Sequence, residues 1–261
     1  MPIHPVTSLD DPRVQPYRNL KDRQLAREHG LFICEGEPLA RRLLDSPLNA
    51  HSILAAAHRA AAIAADAPAD VPVFAAPADL LSDIVGYPFH RGVLACGVRP
   101  KPVRAGALLP ATTLVVCPQL ENEENLGVII RTAAALGADG ILLGDQGADP
   151  LGRRTVRVSM GAVFTLPVAQ SPDLRADLLR LREEHGFELA ATVLDEHADD
   201  LADYRRPDKL ALLLGNEPTG LADDWLALCD AQLTIPMHRG TDSLNVAVAA
   251  GIFLYELLAK R

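Results

Sequence analysis

Three segments in the C-terminal part of the chain carry polar side chains suited to holding and orienting a ligand. In Glu121-Asn122-Glu123-Glu124-Asn125-Leu126-Gly127-Val128-Ile129-Ile130-Arg131, Asn125 suits a helix N-cap. At about 100° per residue Leu126, Ile129, Ile130, Ala133 and Leu136 then form one apolar stripe, with Arg131 nearly opposite it. The second segment is an apolar strand, Leu212-Leu213-Leu214, running into Gly215-Asn216-Glu217-Pro218-Thr219-Gly220. Gly215 permits close backbone approach, and Glu217 places a carboxylate near a helix start, where the dipole favours it. The third leads from Leu233-Thr234-Ile235-Pro236-Met237 through Gly240 into a helix that Asp242 or Ser243 can cap, with Asn245 in its first turn. In parallel α/β sheets ligands collect at the carboxyl ends of strands, where Gly215 to Gly220 would lie. Taken singly, each also has a plain counterpart: a solvated surface arginine, an ordinary strand-to-helix turn and a central buried helix.

The glycines and lysines narrow the chemistry. No two glycines stand two residues apart, so there is no G-x-G loop of the dinucleotide-binding or Rossmann-methyltransferase kind, and none of the four lysines follows a glycine, so there is no Walker A loop. Cys34, Cys96, Cys117 and Cys229 form no C-x-x-C pair and no histidines lie at i, i+4. Neither a disulfide framework nor a metal site is expected, and the cysteines read as buried free thiols. Of the segments free of Asp, Glu, Lys and Arg, the longest runs from Ala105 to Leu120 and contains Pro110 and Pro118, which excludes a transmembrane helix. The start lacks a basic segment followed by an apolar run, so a cytoplasmic location is expected. Net charge is −9, of which residues 1–99 carry −1 and residues 100–261 carry −8. Bulk electrostatic attraction to nucleic acid is thereby excluded, and any such contact must be a local patch.

The elements that would position these segments follow from periodicity. Val98-Arg99-Pro100-Lys101-Pro102-Val103-Arg104 reads as a semi-rigid linker, which divides the chain into a domain over 1–99, a linker over 100–110 and a domain over 111–261. The first domain reads as a small α/β layer, with strands at 31–34, 71–74 and 92–98 and helices at 19–29, 37–44 and 55–65. In the second, strands at 112–117, 140–143, 163–168, 187–193, 209–214 and 231–235 alternate with helices at 126–136, 173–185, 221–228 and 243–260. That alternation predicts a mostly parallel sheet covered on both faces. The last helix is apolar on two sides, Val246 and Phe253 opposite Leu244, Val248, Tyr255 and Leu258, so it needs its own sheet on one side and a second subunit on the other.

In order, spacing and context the three segments resemble the signature motifs of the SpoU (TrmH-like) branch of the SPOUT RNA 2'-O-ribose methyltransferases, over Thr112 to Leu258. Arg153-Arg154-Thr155-Val156-Arg157-Val158-Ser159-Met160-Gly161-Ala162 is similar to the family's segment between the first two motifs. More loosely, Arg18-Asn19-Leu20-Lys21, Phe32-Ile33-Cys34-Glu35-Gly36 and His90-Arg91-Gly92-Val93 resemble a ribosomal-protein-like substrate-binding domain. The resemblance implies a parallel α/β domain with a deep trefoil knot, S-adenosylmethionine held in the knot loops, and a homodimer through the C-terminal domain. Carried over residue by residue, Gly215, Ile235 and Leu244, with Met237 and Glu217 beside them, would contact the cofactor. Asn125, Arg131, Ser243 and Asn245 would form the side where the ribose is presented. Two positions depart from the family's pattern: Pro218 replaces a frequent glycine and Ala247 a frequent serine.

For such a reaction Arg131 would hold the adjacent phosphate and stabilise developing alkoxide charge, because a guanidinium is a poor base. Asn125, Ser243 and Asn245 would orient the hydroxyl, Glu217 would fix the loop or Arg131, and the general base is left unassigned. RNA contact would fall to Arg18, Lys21, Arg23 and Arg27 together with Arg153, Arg154 and Arg157. Ribosomal RNA is the expected substrate, because a separate α/β domain precedes the catalytic one. The alternatives are transfer RNA as substrate and a catalytically silent RNA-binding protein of the same fold.

Overall fold

A computed structural model of the chain describes residues 2–18, 22–109, 111–216, 219–239 and 243–259. The chain divides into two compact units, one of Met1–Lys101 with Leu151–Thr165 and the other of Pro102–Pro150 with Leu166–Arg261. In chain order the first unit opens with β1 (Ile3–Pro5), α1 (Asp22–His29), β2 (Leu31–Glu35), α2 (Glu37–Leu44), β3 (Ala50–Ala56), α3 (Ala57–Asp66), β4 (Val73–Ala76), α4 (Ala78–Val85) and β5 (Val93–Val98). Among the described residues its five strands form one sheet in the order β1-β4-β3-β5-β2, with β5 antiparallel to β2 and β3, and β1, β4 and β3 mutually parallel. Phe32 faces Gly97 across the β2–β5 pair, and a Cβ at Gly97 would stand 2.3 Å from the phenyl ring, so the glycine makes room for it. Val14, Tyr17, Ile33, Leu54, Phe74 and Leu94 build a core on one side, where the buried Tyr17 hydroxyl is satisfied by Ser52 Oγ at 2.8 Å.

The second unit contains β6 (Thr113–Cys117), α5 (Glu123–Leu136) and β7 (Gly140–Leu143) before the chain enters the first unit as α6 (Arg153–Val158). It returns as β8 (Val168–Gln170), α7 (Leu174–His185), β9 (Glu188–Thr192), β10 (Asp199–Asp200), β11 (Leu210–Leu213), α8 (Asp223–Leu226), β12 (Ala231–Thr234) and α9 (Val246–Leu254). A π-helical turn over Tyr255–Ala259 extends α9. Among the described residues the seven strands of this unit are all parallel, in the order β10-β12-β9-β11-β6-β7-β8. The continuously apolar runs of β6, β7 and β11 are buried along their whole length, as strands covered on both faces require.

Most predicted elements recur within a few residues, and several differ. The alanine-rich stretch from Ala55 begins inside strand β3, and its helix starts only at Ala57. The apolar run predicted as a strand at 163–168 is a 3-10 turn over Ala162–Phe164 followed by β8. Gly161 with φ +77° turns the chain there, and Phe164 is apolar because it packs against Phe32. Helix α5 begins at Glu123, because the side chain of Asn122 rather than Asn125 accepts from the backbone N–H groups of the first turn, those of Glu124 and Asn125. Helix α9 is capped by Asn245, which accepts from Ala247 N at 3.0 Å and Val248 N at 3.3 Å, and not by Ser243. Asp242 lies outside the described residues, as do Lys21, Glu217, Pro218 and Gly240. Leu151–Thr165, placed by the sequence in the C-terminal domain, packs with the N-terminal unit, where Thr155, Val156 and Ser159 are fully buried.

Candidate active site

In the second unit, the carboxyl ends of β9, β11 and β12 open into one cleft of about 540 Å³. Gly215, Ile235, Met237, Ser243 and Leu244 line it together, so residues from the second and third sequence motifs converge on a single site. Local chemistry holds the walls. The turn after β11 closes through reciprocal backbone hydrogen bonds between Asn216 and Gly220, each 3.1 Å, and Asn216 Oδ1 accepts from both N and Oγ1 of Thr219 at 2.9 Å. This turn brings the backbone of Gly220 and Leu221 so near Gly215 that a Cβ there would stand 2.4 to 2.7 Å from three backbone atoms. The close approach expected of Gly215 is therefore to its own loop.

Asn125 and Asn245 come together beside the starts of their helices. Asn245 Nδ2 donates to Asn125 Oδ1 at 3.1 Å while Asn245 Oδ1 caps α9, so one carboxamide ties both helices. Asn125 is 6% exposed, and its own Nδ2 has no hydrogen-bond partner among the described residues. A buried unpaired donor is uncommon in folded proteins and is suited to a ligand oxygen. Arg131 lies on the exposed face of α5, opposite the buried Leu126, Ile129, Ile130 and Ala133, and is not among the residues lining the cleft.

The predicted RNA contacts divide. Arg27 is exposed, and Arg18 borders a polar groove with Gln15, Gln24 and His29. Arg154 is exposed, but Arg153 and Arg157 turn to Glu35 of the same unit, 3.1 and 3.8 Å from its carboxylate oxygens. Lys21 and the side chain of Arg23 lie outside the described residues. Sequence reasoning did not single out Asn122, Asn216, Thr192 or Asp195. Asn122 had a signal, since it directly precedes two glutamates, the favoured charge for a first turn. Thr192 and Asp195 line the cleft only because β9 lies beside β11, a neighbourhood with no trace in local sequence. Burial raises the thiols of Cys96 and Cys117 to about 12, so both remain uncharged.

Residues 112–255 match the SpoU rRNA Methylase family. The chain is 37% identical to the uncharacterized tRNA/rRNA methyltransferase Rv0881 of Mycobacterium tuberculosis, over 97% of this chain and 91% of that protein. It is 32% identical to the 23S rRNA (guanosine-2'-O-)-methyltransferase RlmB of Acinetobacter baylyi, over 74% and 81% of the two chains. A crystal structure of AdoMet-bound rRNA methyltransferase from Sinorhizobium meliloti superposes with a TM-score of 0.87 at 29% identity, covering 99% of this chain and 98% of that one.

Proposed function

The chain belongs to the SpoU rRNA methylase family, and on that premise we propose that it transfers a methyl group from S-adenosylmethionine to a ribose 2'-hydroxyl of ribosomal RNA. The observation that carries this reading is the convergence of Gly215, Ile235, Met237, Ser243 and Leu244 on one cleft at the strand ends. The cleft suits the cofactor. Its volume of about 540 Å³ lies within the roughly 300–1,000 Å³ of small-molecule sites, and Leu221, Ile235, Val246 and Phe253 give it an apolar wall beside polar loop groups. Gly215, Ile235, Met237 and Leu244 would hold the cofactor, with Glu217 from the same loop. When bound, S-adenosylmethionine supplies an electrophilic methyl group on a positively charged sulfonium.

The chain's own residues have the remaining work of orienting the ribose and accommodating charge on its oxygen. Asn125, fixed by Asn245, offers its unpaired Nδ2 as a donor, and the exposed Ser243 adds a hydroxyl. Arg131 binds the neighbouring phosphate and stabilises the developing alkoxide. The C-terminal part carries the trefoil knot of the family, and the protein works in the cytoplasm as a homodimer. Support for the dimer comes from Val128 on α5, Val248 and Ile252 on α9 and Tyr255 at the start of the π-helical turn that extends it, large apolar side chains exposed on helices that pack together. Covering them with a second copy removes apolar surface from water. Calorimetric titration with S-adenosylmethionine tests the cofactor, and mapping 2'-O-methyl positions in total RNA with and without the gene tests the reaction. A folded protein that gives no heat, or an unchanged ribosomal RNA map, overturns the reading; a lost transfer RNA position redirects it.

A further inference from the structure

Four side chains from two distant segments converge on Glu35, the last residue of β2 and only 7% exposed. Its Oε1 accepts from the Tyr87 hydroxyl at 2.8 Å and lies 3.1 Å from Arg153 Nη1, while Arg157 Nη1 lies 3.8 Å from Oε2. Arg91 Nη1 donates to the Glu35 backbone carbonyl at 3.5 Å, and Arg153 Nη1 also reaches the Tyr87 hydroxyl at 3.4 Å. A buried carboxylate is costly unless paired. One positive charge would suffice, yet two guanidinium groups face this carboxylate and a third reaches the backbone carbonyl of the same residue. Arg157 is too far from Glu35 to spend a hydrogen bond on it, its side chain is 38% exposed, and a guanidinium has about five N–H donors to offer.

Tyr87 supplies the second ingredient. Burial first, and then its bond to Glu35, raise the phenol to about 12, so it stays a donor to the carboxylate. Tyr87 is 37% exposed, and its ring makes an edge-to-face pair with that of Phe89, with centroids 6.1 Å apart at 77°. An aromatic face held rigid among guanidinium groups is how proteins take unpaired RNA: a base stacks on the ring while arginines take the flanking phosphates. We propose that Tyr87, Arg91 and Arg157, seated on Glu35, form the surface with which the N-terminal unit grips a single-stranded segment of the substrate RNA. Glu35 is a positioning residue, fixing the tyrosine and the arginines in one frame. This assignment rests on RNA being the substrate.

The test is fluorescence anisotropy of the full-length protein with a short labelled oligoadenylate and with the same strand in a duplex, alongside titration with S-adenosylmethionine. Arg91→Gln and Arg157→Gln should each weaken single-strand binding about ten-fold and flatten the salt dependence by about 0.7 of a log–log unit. Tyr87→Ala should cost about ten-fold on the single strand and little on the duplex, whereas Tyr87→Phe, which keeps the ring, should stay within about two-fold of the parent. Cofactor affinity and Tm of Arg157→Gln should not move. The proposal is overturned if the two arginine variants bind like the parent, or if Tyr87→Phe is as damaging as Tyr87→Ala, which would reduce the tyrosine to an anchor for Glu35. A parent protein that binds cofactor but neither oligoadenylate nor ribosomal RNA transcripts would instead remove the RNA reading itself, and this surface with it.

Discussion

Arg131 stands on the face of α5 that the apolar stripe leaves to solvent, so its side chain holds nothing in the core together. Arg131→Ala should therefore lower single-turnover methylation by at least about a hundred-fold, the scale of losing one stabilising donor, while Tm and cofactor affinity stay put. Arg131→Lys should also fail, because lysine keeps the charge but loses the planar fork that can grip two oxygens. Near-parental rates in Arg131→Ala would remove the residue from the reaction, and survival of Arg131→Lys alone would leave it only a charge. At this scale the sequence was informative about residue types and silent about partners. Asn125 and Asn245 stand out as polar residues at the starts of apolar helices, but nothing in a spacing of 120 residues announces a 3.1 Å bond between them. Arg153 and Arg157 look like a surface patch in sequence, and only the fold reveals the buried Glu35 they face.

Helix α9 owes its start to Asn245, whose Oδ1 accepts from two first-turn amides while Nδ2 donates to Asn125. Losing an N-cap costs about 0.5–2 kcal/mol, and Asn245→Ala would in addition leave the nearly buried Asn125 carboxamide without its partner. Asn245→Ala should thus destabilise the protein by about 2 kcal/mol or more, and Asn245→Asp, which keeps the cap acceptor but loses the donor, by less. Urea unfolding of both measures this; equal losses would show that the Asn125 contact, not the cap, dominates. The elements themselves were legible wherever a run was periodic, as for α2 and α7, or unbroken in its apolar character, as for β7. Legibility failed where composition is neutral between states: β3, Ala-His-Ser-Ile-Leu-Ala-Ala, becomes a strand through its pairing with β4 and β5 and not through its residues. Two-residue β10 exists only as a partner of β12, and three-residue β1 only as a partner of β4.

On the scale of the whole molecule, the exposed face of Val248, Ile252 and Tyr255 on α9 and its π-helical extension predicts that Ile252→Asp converts a dimer into a monomer in sedimentation velocity, and a parent that is already monomeric at micromolar concentration would remove that claim. The path of the chain leads to a second expectation. Leu151–Thr165 is covalently flanked by the second unit but packs within the first, with Val156 fully buried, Phe164 3% exposed against Phe32, and Arg42 donating to the Met160 carbonyl. Removing residues 1–101 would strip those side chains of their cover, and each large apolar side chain returned to water costs roughly 1.5–3 kcal/mol. Such a truncated protein should lose amide protection from hydrogen exchange across 151–165 and melt at a lower temperature. Loss of activity on RNA after truncation would then report damage to this segment as well as loss of the N-terminal surface, so the point variants at Tyr87, Arg91 and Arg157 are the cleaner probe. Full exchange protection of 151–165 in the truncated protein would show that the segment is held without residues 1–101, and would reject this dependence.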